Sequence, residues 1–150
     1  MLKILVAEDD MSTNKLLCAI LKINGYEAIP AFNGEAALDI IDHQHIDLLL
    51  CDVMMPKMSG TDFLQLMKGD KKLAHIPVIM LTAKTSEEDQ MVAFDCGADA
   101  YLTKPISLKY LRKRIDQLLA RVESAEVVNS LAKTEKKYSK SLVFEDINYQ

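Results

Sequence analysis

Leu48-Leu49-Leu50-Cys51 is an unbroken apolar run that ends on a carboxylate, Asp52. Ile4-Leu5-Val6-Ala7 is another, followed at once by Glu8-Asp9-Asp10. Val78-Ile79-Met80-Leu81 ends on Thr82, and a brief run at 98–102 ends on Thr103-Lys104-Pro105. Runs without polar alternation suit strands covered on both faces, as in a parallel sheet flanked by helices. In such sheets ligands bind outside the carboxyl ends of the strands. That edge receives Asp9, Asp10, Asp52, Thr82 and Lys104. Three crowded carboxylates repel and raise one another's pKa values unless they share a cation. An all-oxygen donor set suits a hard ion that keeps several waters, which points to Mg²⁺. A carboxylate beside a bound metal can act as a nucleophile toward phosphorus. Lys104 offers a compact positive charge to a phosphoryl oxygen, and Thr82 a hydroxyl that can hydrogen-bond one. Each residue taken singly has a plain explanation as a cap or a surface charge; all five at strand ends favour a site.

The segments between these runs are helical in pattern. Ser12, Thr13 and Asn14 offer N-caps for a helix carrying Leu16, Leu17, Ile20, Leu21 and Ile23, which Asn24-Gly25 stops. Glu27-Ala28-Ile29-Pro30-Ala31-Phe32 reads as a strand, and Pro30 removes a ladder donor, which places it at a sheet edge. After Asn33-Gly34, a second helix is marked by Ala36, Ala37, Leu38, Ile40 and Ile41. Phe63, Leu64, Leu66 and Met67 predict a third, short helix ending near Lys68-Gly69. Thr85 and Glu88 match a capping box for a helix over 86–96, through Met91, Val92 and Phe94, which stops at Gly97. Ser107 caps a last long helix with Leu108, Leu111, Ile115, Leu118, Leu119 and Val122 on one face. Strand and helix thus alternate five times. The alternation predicts an α/β fold, a doubly wound five-stranded parallel sheet with helices on both faces. Pro30 at an edge suits the strand order 2-1-3-4-5, with strands 1 and 3 adjoining at the switch point.

At 150 residues the chain is long enough for one domain with a real core. A net charge of −4 gives no reason to expect nucleic acid or an anionic membrane as a direct partner. No apolar run approaches the about 20 residues of a membrane span. Met1 leads straight into a short apolar run and three acids, which is not a secretory signal pattern. Cys18, Cys51 and Cys96 are odd in number, widely spaced and set in apolar patterns, so they read as buried small hydrophobes in a reducing compartment. A cytoplasmic location is expected.

Several motifs together resemble the receiver domains of bacterial two-component response regulators. They are Ile4-Leu5-Val6-Ala7-Glu8-Asp9-Asp10, Asp52-Val53-Met54-Met55-Pro56 with Met58-Ser59-Gly60, Pro77-Val78-Ile79-Met80-Leu81-Thr82-Ala83, and Gly97-Ala98-Asp99-Ala100-Tyr101-Leu102-Thr103-Lys104-Pro105. The resemblance covers residues 1–122 and implies the flavodoxin-like receiver fold. It implies that Asp52 is the phosphoacceptor, that Asp9 and Asp10 hold Mg²⁺ with Asp52, and that the backbone carbonyl of Met54 completes the protein ligands. Lys104 would contact the phosphoryl group, the Lys104-Pro105 peptide would often be cis, and Thr82 and Tyr101 would be the switch pair. Met11 and Ala83 stand at positions where the family varies. A sensor histidine kinase or histidine phosphotransfer protein is the implied partner. The face made by 86–96, strand 5 and 108–122 is the implied output and dimer surface. Gln90 and Ala100 stand there in place of a basic and an acidic member of the charged dimer pattern, which predicts a weaker homodimer or another type of output.

Residues 123–150 do not fit the alternation. Residues 123–131 suit an extension of the last helix, 133–140 are polar, and Leu142-Val143-Phe144-Glu145-Asp146-Ile147 reads as a strand with nothing left to pair with. The segment reads as a linker and the start of a truncated output domain. DNA would then be met only through a domain beyond residue 150, and its function there would be transcription regulation. His43, His45 and His75 share no face and read as surface residues, and the eight methionines read as core fillers. Lys109, Arg112, Lys113 and Arg114 make the last helix basic, as a solvated face or a partner surface. The main expectation is a signalling switch that catalyses at most its own phosphorylation and dephosphorylation. The alternative is a Mg²⁺-dependent phosphohydrolase with an Asp nucleophile, a class that typically carries an acid two residues on, where this chain has Met54. A flavin- or nucleotide-binding module would want a Gly-rich phosphate loop after strand 1, whereas Glu8-Asp9-Asp10 repels phosphate. A degenerate scaffold is disfavoured by the intact acids, Thr82 and Lys104.

Overall fold

The computed structural model of the protein describes residues 1–55, 57–83 and 97–134. The expected helix over 86–96, with Thr85, Glu88, Gln90 and Cys96, lies outside the described residues, as do Pro56 and the expected strand in the tail.

Five strands form one sheet: β1 (Lys3–Ala7), β2 (Glu27–Ala31), β3 (Leu48–Asp52), β4 (Val78–Thr82) and β5 (Ala100–Thr103). Their order is β2-β1-β3-β4-β5 and every pairing is parallel. β3, the central strand, is buried at all five positions, as its lack of polar alternation requires. Pro30 is exposed on β2, the edge strand, where a missing ladder donor is tolerated.

Four helices are described: α1 (Met11–Ile23), α2 (Gly34–His43), α3 (Gly60–Gly69) and α4 (Leu108–Thr134). The pleat divides the strand residues between two cores. Leu5, Leu49, Cys51, Val78 and Met80 pack with Ala37 and Ile41 of α2 and Phe63, Leu64 and Met67 of α3. Ile4, Val6, Leu48, Leu50, Ile79 and Leu81 pack with Leu17, Cys18 and Leu21 of α1 and Leu111, Ile115, Leu118 and Leu119 of α4. Tyr26, at the mouth of β2, donates to Asp116 Oδ1 of α4 at 2.8 Å; burial and that acceptor push its phenol pKa up to about 12. α4 runs through residue 122 without a break to Thr134. None of the described helices is long and apolar enough to cross a membrane.

The caps settle where two helices begin. Asn33 caps α2 by accepting from Ala36 N, and Ser59 caps α3 by accepting from Asp62 N. α1 begins earlier than its hydroxyl residues suggest. Asp10 is the N-cap, and Ser12, Thr13 and Asn14 all lie within the helix.

Candidate functional site

The parallel sheet turns the carboxyl ends of β1, β3, β4 and β5 to one edge, so the residues that follow each strand converge there. Asp52 closes β3. It is 4% exposed, and its carboxylate accepts from Met54 N through Oδ1 at 3.2 Å. Val53 N donates to Leu81 O of β4 at 2.9 Å, so the chain just past Asp52 is tied to the neighbouring strand. The loop then returns against Asp52. Lys57 takes a left-handed φ of 67°, and Gly60 N donates to Val53 O at 2.9 Å. The close approach demands glycine: a Cβ at position 60 would stand 2.1 Å from Asp52 O.

β1 delivers Glu8 and Asp9. Glu8 is 1% exposed, an expensive place for a carboxylate without a partner. Its partner is Lys104, whose Nζ lies 2.5 Å from Glu8 Oε1 and 3.4 Å from Asp52 Oδ2. Lys104 N donates to Thr82 O at 2.7 Å, so the end of β4 places the lysine; the Lys104-Pro105 peptide is cis. Burial alone would depress the Lys104 ammonium. The hydrogen bond to Glu8 and the Asp52 charge outweigh it, so its pKa is raised. Asp9 is exposed, yet its pKa is raised too, by partial desolvation first and then by the hydrogen bond and charge of Glu8.

Carboxylate oxygens of Glu8, Asp9 and Asp52 lie within 4.8 Å of one another. One ammonium cannot balance three carboxylates, so the cluster keeps a net negative charge. Its donors are all oxygen and two of the three residues are buried, which fits a hard divalent cation better than a soft one. Asp10, expected among the metal ligands, does not join the cluster. Its carboxylate accepts from the backbone N of Thr13 at 2.9 Å and from the Thr13 hydroxyl, and these two bonds lower its pKa. The acid pair beside Asp52 is therefore Glu8 and Asp9. The overlooked signal was positional. Asp immediately before the first helical residue, three positions ahead of Thr13, is a strong N-cap, and assigning it so leaves the preceding two acids for the site.

Thr82 is fully buried at the end of β4. Tyr101, half-buried on β5, stands in register with Met80 and packs on the core shared with α2 and α3. The strand period puts Thr82, Met80 and Tyr101 toward the same face. Met54 is exposed, and its N–H turns in to Asp52. His43, His45 and His75 are exposed and none lies in the cluster.

Comparison with known proteins bears on the family and the fold. The family model described as the response regulator receiver domain matches residues 4–116. The transcriptional regulatory protein CpxR of Escherichia coli K12 is 44% identical over 124 residues, which is 83% of this chain and 52% of CpxR. The phosphate regulon transcriptional regulatory protein PhoB of Klebsiella pneumoniae is 37% identical over 125 residues, 83% of this chain and 55% of PhoB. The chain thus spans about half the length of these relatives. Among solved structures, the receiver domain of the Francisella response regulator 1452 superposes with a TM-score of 0.75 at 34% identity, covering 81% of this chain and 98% of that one.

Proposed function

The chain belongs to the response regulator receiver domain family, and from that premise we propose that it is a phosphorylation-dependent switch whose phosphoacceptor is Asp52. The observation that carries this reading is the cluster of Glu8, Asp9 and Asp52 with Lys104 at the carboxyl edge of the sheet. In the transfer, a carboxylate oxygen of Asp52 attacks phosphorus. The new O–P bond forms as the P–N bond of a phosphohistidine donor breaks, and the electron pair leaves with the imidazole nitrogen. With a small acyl phosphate, the leaving group is the carboxylate.

Glu8, Asp9 and Asp52 would hold Mg²⁺, with the Met54 carbonyl as a further oxygen ligand. When bound, the ion neutralises the carboxylates and the charge on the transferring group. Lys104 supplies a further positive charge beside Asp52 and holds Glu8 in place. Thr82 lies on the strand next to Asp52, and its hydroxyl is of a type that can hydrogen-bond a phosphoryl oxygen. Its movement toward Asp52 would open space for Tyr101 to turn inward and reshape strand β5 and α4. A phosphohydrolase finds no general acid at position 54, where an exposed methionine stands.

The proposed donor is a sensor histidine kinase or a histidine phosphotransfer protein, in the cytoplasm. CpxR and PhoB, about twice as long as the part matched here, are transcriptional regulators by name. A transcriptional output, with DNA contacted by a domain other than residues 1–122, is proposed on that likeness, and so is a homodimer through 86–122.

Intact-mass analysis with acetyl phosphate and Mg²⁺ tests the reading. The wild-type chain is expected to gain one phosphoryl group and Asp52→Asn none. Equal labelling of the variant sinks the assignment, and steady turnover of a phosphate ester would favour the hydrolase instead.

A further inference from the structure

We infer that Asn14 is the positioning residue of the acidic pocket: its buried amide grips the backbone from which Glu8 and Asp9 project. This rests on the reading of Glu8, Asp9 and Asp52 as a divalent-cation site. Asn14 is 0% exposed, on the face of α1 that also buries Leu17, Cys18 and Leu21. A polar side chain at such a place is costly unless hydrogen-bonded, and an aliphatic one would fill the core without that cost. What Asn14 adds is donors. Its Nδ2 lies 3.1 Å from Val6 O, 3.0 Å from Glu8 O and 3.0 Å from Ala31 O. A primary amide has two N–H hydrogens, so three carbonyls share two donors. The opposite end is held by the Cys18 thiol, which donates to Oδ1 at 3.3 Å. The flipped amide would set its oxygen against three carbonyl oxygens, so the orientation is fixed.

The three carbonyls bracket one residue. Val6 lies two positions before Glu8, and the second carbonyl is that of Glu8 itself. The third, Ala31 O, also accepts the Glu8 N–H at 3.0 Å. The Glu8 carbonyl shares a rigid peptide plane with Asp9 N, so holding that oxygen orients the start of Asp9 as well. Asn14 thereby ties α1, the end of β1 and the end of β2 together at the backbone that carries two of the three cluster carboxylates. It touches neither carboxylate and acts through the backbone, as an outer-sphere partner does for a metal ligand.

Mg²⁺ titration of the full chain, followed by backbone amide NMR shifts at residues 8–10 and 52–54, tests this. Asn14→Leu removes the donors. Asn14→Ser keeps one donor on a shorter arm and is the variant to read if the leucine form does not fold. Each is expected to weaken Mg²⁺ about 10- to 100-fold, the usual effect of an outer-sphere change, with the serine variant weakened less. Leu17→Ala, on the same buried face, is expected to lower the melting temperature and leave the Mg²⁺ Kd within about twofold of wild type, which separates positioning from general loosening. In the wild-type chain the Asn14 side-chain NH₂ signals are expected to shift along the same saturation curve as the Asp9 amide. Asn14 variants with wild-type Mg²⁺ affinity, or wild-type side-chain signals that do not move, overturn the inference. Glu8→Gln in parallel distinguishes the two levels. If it too leaves Mg²⁺ binding intact, the cation site itself is wrong; if it weakens binding while Asn14→Leu does not, only the role of Asn14 falls.

Discussion

Gly60→Ala should injure the phosphoacceptor more than the fold. The added Cβ would stand 2.1 Å from Asp52 O, and 2.9 Å from both Asp52 C and Val53 Cα. Ordinary contact begins at 3.4 Å, so the Asp52 carbonyl and the 60–69 helix must separate by about 1.3 Å. Backbone on both sides blocks relief by a rotamer change. Overpacking of this kind costs about 1–3 kcal/mol. At about 4 °C per kcal/mol for a domain of this size, the melting temperature should fall by about 4–12 °C. The rate should suffer more, because a misplacement of about 1 Å of a reacting group costs on the order of 100-fold. Gly69→Ala is the matched control on the same helix, where a Cβ meets nothing within 4 Å. The assay is the rate of phosphoryl uptake from acetyl phosphate by intact mass, with thermal melts on the same samples. Uptake by Gly60→Ala within about twofold of wild type would refute the claim that this contact sets the position of Asp52.

Asp10→Ala removes an N-cap and should cost about 0.5–2 kcal/mol while Mg²⁺ affinity holds; Asp9→Ala should weaken Mg²⁺ and, by removing a carboxylate whose pKa is raised, stabilise the metal-free protein. Isothermal titration with paired melts checks both, and equal loss of Mg²⁺ binding in the two variants would restore Asp10 to the site. Lys104 has a raised pKa, so the stability it contributes is complete below the ordinary lysine pKa and is lost as pH rises through the folded value. Urea unfolding of wild type and Lys104→Met at pH 8 and pH 11 should show the gap between them closing at the higher pH; a gap that widens contradicts the pairing with Glu8. Beryllofluoride, a phosphoryl mimic, should shift the Tyr101 ring signals in wild type and not in Thr82→Ala, and an identical ring response in both would break the proposed coupling.

Local pattern was enough for the scaffold. Short apolar runs without polar alternation, separated by segments of helical periodicity, suit a covered parallel sheet, and Pro30 on one of them suits the edge. The carboxyl-edge positions of Asp9, Asp52, Thr82 and Lys104 followed, because a strand's last residue has nowhere else to point its chain. The acid pair did not follow. Three consecutive carboxylates offer two choices of adjacent pair, and the choice depends on where α1 begins and on which side chain Lys104 can reach. Burial, a property of the packed chain, made the selection. Glu8 is buried against Lys104, and Asp10, exposed, caps α1. Asn14 was illegible for the same reason. As a helix-starting residue it is one polar side chain among several, and its three carbonyl partners come from residues 6, 8 and 31. Only the tertiary fold brings those together, since hydrogen bonds between groups distant in sequence leave no period for a local pattern to carry.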